Sequence, residues 1–276
     1  MNTGGGTVAV GLRNIHEQAK HDGAKIADGV PVKILTLDIE CSPNVVHAWG
    51  LYDQTVGINQ IVEDGRMICF AAKWYGETQT MFFSDFQHGH DTMVAEAWRL
   101  LDEADVLVTF NGKKYDAKHL NREFVLAGLA QPSPYKHMDL LPVVRKQFKF
   151  PSNKLDYVSD RLGLGRKVEH EGHGLWVKCL AGQADAWRRM ESYNRGDVEL
   201  TEALFDRLRP WLSGGPNLAL WTAGGDACPL CANVESVSCG EYVTGVSVFE
   251  ARRCSGCGGV FRRATRLRGV SSRLAA

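Results

Sequence analysis

The apolar positions follow two periodicities along the chain. From Pro31 the run KILTLDIE alternates apolar and polar residues and is rich in Ile and Leu, which predicts a strand. VVHAWGLY, RMICFAAKWY and QTMFFS follow as short β-type runs separated by turn residues. Residues 91–103 then set Met93, Ala97, Leu100 and Leu101 at helical spacing. VLVTF at 106–110 reads as a buried strand, and 116–129 returns to helical spacing through Leu120, Phe124 and Ala127. From about residue 138 to 212 strand signals are scarce and helices dominate, ending in a long one over 184–212. This alternation predicts an α/β sheet with helices on its faces.

The two ends differ from this middle. Residues 1–30 are Gly-rich and polar, which predicts a loosely ordered arm with a short helix near Leu12–Lys20. SGGPN at 213–217 and AGG at 223–225 mark a linker. The last ~50 residues are β-prone, Cys-paired and separate, too few to build a large core.

At 276 residues the chain is sized for one or two domains. It is 44% hydrophobic and 23% charged, which excludes a disordered chain, a collagen or a coiled-coil rod. No apolar run approaches the ~18 residues of a membrane span. The N-terminal MNTGGGTVAVGLRN lacks a basic start followed by a long apolar stretch, so the cytoplasm is the expected location. Net charge is zero, yet residues 214–276 carry seven Arg against Asp226, Glu235, Glu241 and Glu250, a net of +3. From Ala251 onward there are seven Arg and no acid. That layout suits a nucleic-acid partner and is equally compatible with a solubilising tail.

Four acids stand out. Asp38 and Glu40, two apart in a predicted strand, emerge on one face. Two adjacent carboxylates repel unless a cation joins them or one of them turns to solvent. Asp116 closes the run FNGKKYD at the mouth of a helix, after the Asn111-Gly112 turn signal. Tyr193 and Asp197, four apart, share one helix face. Gly196 between them costs a helix ~1 kcal/mol, which points to a close approach or to a helix start near Asn194.

Together and in this order, the motifs resemble those of the DEDD superfamily of 3′–5′ exonucleases, closest to the proofreading domain of B-family DNA polymerases. Asp38-Ile39-Glu40 matches D-I-E, and Asn111 to Asp116 matches N-G-x-x-F-D with Tyr115 in place of Phe. Tyr193 and Asp197 match Y-x-x-x-D, and KLDYVSDRLGLGRK resembles the segment between the second and third motifs. Ser192 stands where another branch has His, so the Tyr branch is the nearer one. The resemblance implies a ribonuclease H-like mixed sheet flanked by helices. It also implies two Mg²⁺ or Mn²⁺ ions held by Asp38, Glu40, Asp116 and Asp197, with Tyr193 orienting the attacking water. Asp38 would bridge the two ions. The implied substrate is DNA, with RNA as the alternative, and a catalytically weak adaptor is the third possibility. Asn111, Lys113 and Lys114 would meet the phosphate backbone, or, for the lysines, lie in a solvated loop. Arg252, Arg253, Arg262 and Arg263 would grip nucleic acid. His170 and His173 lack a third ligand and read as a loop, and Asp139 takes no catalytic role.

Cys228-x2-Cys231 and Cys254-x2-Cys257, separated by 22 residues, match a tetrahedral four-thiolate Zn²⁺ site; two redox-active or free Cys pairs are the alternative. EYVTGVSVFEARR between them reads as a hairpin with Gly245 at its turn, the pattern of a zinc ribbon, and Cys239 is a non-ligand. The expected organisation is an arm (1–30), an exonuclease domain (31–213), a linker (214–226), a zinc ribbon (227–262) and a basic tail (263–276).

Overall fold

The computed structural model describes residues 32–212, 214–221 and 226–272; the expected arm and its short helix lie outside the described residues. Two compact units are present, one spanning Lys33–Gly215 and one containing the described residues from Pro216 onward. None of the described helices is long and apolar enough to cross a membrane.

The first unit runs β1 (Ile34–Cys41), β2 (Val45–Val46), β3 (Ile61–Glu63), β4 (Met67–Trp74), β5 (Met81–Ser84), α1 (Asp85–His88) and α2 (His90–Glu103). It continues with β6 (Val106–Thr109), α3 (Asp116–Leu126), β7 (Lys136–Asp139), α4 (Leu140–Gln147), α5 (Leu155–Arg161), α6 (His173–Leu180) and α7 (Ala184–Leu208). Five strands form a mixed sheet in the order β5-β4-β1-β6-β7. β1 is antiparallel to β4 and parallel to β6.

The alternation along β1 divides its residues between two cores. Leu35, Leu37, Ile39 and Cys41 pack against α2 and α3 through Met93, Trp98, Leu101, Leu120 and Phe124. The other face of the sheet, with Cys69, Ala71 and Phe82, is covered by α6 and α7 through Leu175, Trp187, Met190 and Tyr193. Asp38 and Glu40 pair across the ladder with Ala71 and Cys69, so they point to the α7 face. Each buried large apolar side chain adds ~1.5–3 kcal/mol, so α7 is held on this face of the sheet by its apolar residues.

Several expectations change. VVHAWGLY forms only the two-residue β2; from His47 the chain leaves the sheet, and Trp49, Leu51 and Tyr52 are exposed. The apolar residues there find no neighbouring strand to pack on. β7 is a strand that its sequence KHMD does not announce, because it is a short edge strand held by pairing with β6. The long helix ends at Leu208 rather than 212, since Pro210 cannot continue it and Arg209–Trp211 tighten into a 3-10 turn. No helix starts at Asn194, which lies in mid-α7. The close approach at Gly196 is real: a Cβ there would sit 3.3 Å from Val168 Cγ2.

The second unit holds β8 (Ser236–Val243), β9 (Ser247–Cys254) and β10 (Val260–Gly269), an antiparallel sheet with β9 in the middle. β8 and β9 form the expected hairpin with Gly245 in its turn. Residues 263–269, expected as a basic tail, instead continue β10 and pair with β9 as far as Gly269↔Ser247. Phe249, Val248 and Ser247 of β9 give this arginine-rich stretch its partners, with register shifts before Arg266 and between Arg266 and Arg268. Part of the expected linker is also ordered: Leu218–Trp221 form a 3-10 turn, and Leu218 N donates to Pro229 O at 2.8 Å.

Candidate active site and four-cysteine cluster

The loop after β6 shows why the second motif needs its residues. Asn111 sits at φ 73, a left-handed conformation that Asn tolerates. Gly112 packs against Thr109 so closely that a Cβ would lie 2.4 Å from its Oγ1. Asp139, buried at the end of β7, accepts hydrogen bonds from the backbone N–H groups of Asn111, Lys113 and Leu141 at 2.7, 3.2 and 3.1 Å. One carboxylate therefore fixes the loop and caps α4. The loop delivers Asp116 to the first turn of α3, where its Oδ1 accepts from Ile39 N at 3.1 Å. Paired β1–β6 register ends at Thr36↔Val108, so this contact occupies a β1 donor that β6 no longer reaches. Lys113 and Lys114 are exposed.

Asp38, Glu40 and Asp197 each bring a carboxylate oxygen within 4.8 Å of the others, a spacing that could hold a metal ion. Asp116 stands outside that trio but close enough to act on Asp38, which is pushed well above the usual carboxylate range by burial and then by Asp116, Glu40 and Asp197. Burial and Asp197 push Glu40 up to about 8. Burial takes Asp116 up to about 6, against the pull of the Ile39 N–H. Asp197 is also raised by burial, although Lys167 opposes it. These acids occupy positions where a negative charge is disfavoured until a cation arrives.

Two groups that the motifs did not single out complete the site. Asn194, fully buried one residue after Tyr193, donates from Nδ2 to Asp38 Oδ2 at 2.7 Å. Lys167 donates from Nζ to Asp197 Oδ2 at 2.5 Å and to the Tyr193 hydroxyl at 3.2 Å. α5 and the turn at Gly163 and Gly165, both at positive φ, carry the chain back so that Lys167 reaches α7; Lys167 N donates to Asp156 Oδ1. Burial and the nearby Glu40 and Asp197 push the Tyr193 phenol up, so it stays protonated. His170 packs on the Tyr193 ring, centroids 4.5 Å apart, and its Nδ1 accepts from Gly172 N. His173 starts α6.

The site passes two tests for a divalent cation. Three carboxylates converge, and Asp197 Oδ1 is buried with no hydrogen-bond partner among the described residues. Oxygen donors of this kind suit hard ions.

In the second unit the sulfurs of Cys228, Cys231, Cys254 and Cys257 all lie within 4.8 Å of one another. Cys228 to Cys257 is 3.8 Å and Cys231 to Cys254 is 3.5 Å. A tetrahedron with metal–sulfur bonds of ~2.3 Å has edges of about 3.8 Å, so the cage fits one such ion. The first knuckle closes through Ala232 N donating to Cys228 O and the second through Gly258 N donating to Cys254 O, with Ala232 and Gly258 both at positive φ. Burial raises the Cys228 thiol to about 11. Burial also opposes ionisation of Cys254, but the N–H groups of Cys257 and Gly256 outweigh it and lower that thiol. Cys239 is exposed and outside the cage.

Arg252 and Arg263 are engaged locally, Arg252 with Glu250 at 2.6 Å and with Ser236, and Arg263 with Asp226. Arg253 and Arg262 are exposed.

Residues 57–209 match the family model of the RNase_H superfamily, and the chain belongs to it. The matched span contains Asp116, Tyr193 and Asp197 and begins after Asp38 and Glu40. With this sheet and acid cluster, the first unit is that of a nuclease of the superfamily. Among solved structures it is similar to the family B DNA polymerase of the hyperthermophilic archaeon Pyrobaculum calidifontis, at 17% identity and a TM-score of 0.51. That similarity covers 66% of this chain and 25% of the polymerase, so the match spans a quarter of the polymerase's length. No curated protein sequence matches the chain.

Proposed function

We propose that the chain is a metal-dependent 3′–5′ exonuclease that hydrolyses phosphodiester bonds of DNA. The observation that carries this reading is the convergence of Asp38, Glu40 and Asp197 beside Asp116 on the α7 face. Two Mg²⁺ or Mn²⁺ ions held by these four acids would activate water and stabilise the leaving alkoxide. Asn194 holds the Asp38 carboxylate in place through its amide. Tyr193, protonated and steered by Lys167, keeps a hydroxyl at the edge of the acid cluster where it orients the attacking water. Lys167 counters the burial that disfavours charge on Asp197 and adds positive charge beside the scissile phosphate. The four thiolates hold one structural Zn²⁺, and the Arg-bearing ribbon grips nucleic acid. DNA rather than RNA is favoured by the likeness to a DNA polymerase.

The test is one gel. End-labelled single-stranded DNA, duplex DNA and RNA are each incubated with Mg²⁺, Mn²⁺ or no divalent ion. Metal-dependent shortening of 5′-labelled DNA by one nucleotide at a time supports the proposal. Endonucleolytic fragments, shortening from the 5′ end, or activity confined to RNA would overturn it.

A further inference from the structure

We propose that one face of the ribbon's three-stranded sheet is a platform for single-stranded DNA. This rests on the reading of the chain as a DNA nuclease and adds the surface and the strand state it selects. Residues opposite one another on an antiparallel ladder share a face, and neighbours along a strand do not. Tyr242, Phe249 and Arg266 form one row across β8, β9 and β10. Arg262 lies opposite Ala251, and Arg253 opposite Val260, on that same face. Glu241 pairs with Glu250 on the other face, where Arg252 also projects, and the register shift between Arg266 and Arg268 sets Arg268 opposite Val248 on that face too.

The sheet has thereby sorted its charge. Its strands contain two acids, Glu241 and Glu250, and both lie on the second face. There they are matched by arginines, Glu241 by Arg268 at 2.7 Å and Glu250 by Arg252 at 2.6 Å. The first face has exposed Arg253, Arg262 and Arg266, and no acid from the strands. It also carries aromatic rings: the Arg262 guanidinium lies 4.0 Å from the Phe249 centroid and 6.0 Å from that of half-exposed Tyr242.

Rings beside unmatched cations suit a nucleic-acid strand whose bases are free to stack. A duplex keeps its bases stacked internally and offers only phosphate. The backbones of Tyr242 on the β8 margin and Arg266 on the β10 margin are two strand spacings or about 10 Å apart, while the Arg262 side chain reaches inward over the central Phe249. Bases fall to one side and phosphates to the other. An acidic protein segment would use the arginines but leave the rings idle.

The experiment is fluorescence anisotropy of the full chain with labelled oligo(dT), at several salt concentrations and without added divalent metal. R262A/R266A is expected to weaken binding at least tenfold and to flatten the salt slope by ~1.4, at ~0.7 per single-strand phosphate. Y242S is expected to weaken binding ~5-fold or more with the slope unchanged, as loss of one base stack requires. R268A, on the other face, is expected to change affinity less than twofold. Zinc content checks folding, and if the double variant loses zinc, R266A alone should still flatten the slope by ~0.7. The platform is overturned if R268A weakens binding as much as R262A/R266A, or if Y242S has no effect. Duplex bound as tightly as single strand, tighter binding of oligo(U), or displacement by polyglutamate as effective as by unlabelled oligo(dT) would also overturn it. Cleavage of the same oligonucleotide with Mn²⁺ is scored separately. Its absence with this binding pattern intact removes the nuclease reading, and its presence without the pattern removes the platform.

Discussion

The ammonium of Lys167 sits 2.5 Å from the Asp197 carboxylate, across 30 residues of chain, and 3.2 Å from the hydroxyl of Tyr193. It opposes the upward shift of all three acids of the trio. A cluster of four inward acids is tolerable without metal because of it.

Lys167→Met should therefore destabilise the metal-free protein by ~1–3 kcal/mol at pH 8, between the cost of breaking an exposed and a buried pair, since Asp197 is buried but the lysine is partly exposed. Mn²⁺ should restore most of that loss, since an ion supplies the missing positive charge. Thermal melts with and without Mn²⁺ measure both. A melt that does not move would mean that the ion pair is an exposed contact of little worth.

Asp38→Asn, Glu40→Gln, Asp116→Asn and Asp197→Asn should each reduce metal-dependent cleavage by more than ~100-fold, the scale of losing one strong electrostatic partner of the transition state. At Asp38, Glu40 and Asp116 the change removes a disfavoured buried charge. At Asp197 the amide oxygen still accepts from the Lys167 ammonium while the ion pair is lost. The first three folds should survive unweakened and Asp197→Asn should be the least stable of the four, as circular dichroism melts would show. Two or more variants cleaving at near-normal rates would refute this site.

Stability without metal should fall as pH rises. Glu40 titrates from an ordinary 4.5 up to about 8 in the folded state, so the folded chain holds its proton where the unfolded chain has lost it. Its contribution is undiminished below pH 4.5, declines from there to about pH 8, and is lowest above that. Asp38, Asp116 and Asp197 shift in the same direction. Chemical denaturation from pH 5 to 8 should show the fall, and Glu40→Gln should flatten it. Mn²⁺ should stabilise more at pH 8 than at pH 5, because binding requires deprotonated carboxylates. A stability that climbs over this range would contradict the burial of these acids.

Zinc should be present at one ion per chain in protein purified without added zinc, and lost in Cys228→Ser or Cys257→Ser. Structural sites of this type contribute ~10–16 kcal/mol of apparent binding energy, so the ribbon should unfold when the ion is lost. Elemental analysis decides; four titratable thiols in a folded, zinc-free ribbon would exclude the site.

Gly112→Ala should cost ~1–3 kcal/mol from overpacking against Thr109 and should lower cleavage as well, since the turn positions Asp116. A urea titration and a cleavage assay on the same preparation test it. Gly245→Ala, whose Cβ would meet nothing within 4 Å, is the control.

What the sequence made legible follows what is local. The parity of Asp38 and Glu40, the turn at Asn111-Gly112 and the four-residue spacing of Tyr193 and Asp197 are short-range patterns, and each maps to one side of a strand or helix. Lys167 closes the stretch KLDYVSDRLGLGRK, yet its role could not be read because its placement depends on the reversal after α5, and the role of Asn194 could not because a mid-helix Asn carries no motif of its own. β7 could not be read from KHMD, since pairing with β6 rather than propensity makes it a strand. The sorting of arginines over the ribbon needed the register of β9 against both neighbours, including the stretch expected to be a free tail.

The alternation along β1 carries a consequence for how such a chain can change over generations. Leu35, Leu37 and Ile39 face one layer and Asp38 and Glu40 the other, so two unrelated demands are interleaved letter by letter in eight residues. Exchanges among aliphatic residues at the first set leave the acids where they are, and the second set admits no such drift. An inserted or deleted residue within the strand would trade the two sets at a stroke, losing core and chemistry together. Variation in length is therefore confined to segments such as 42–66, outside the strand, while β1 itself can be edited only by substitution.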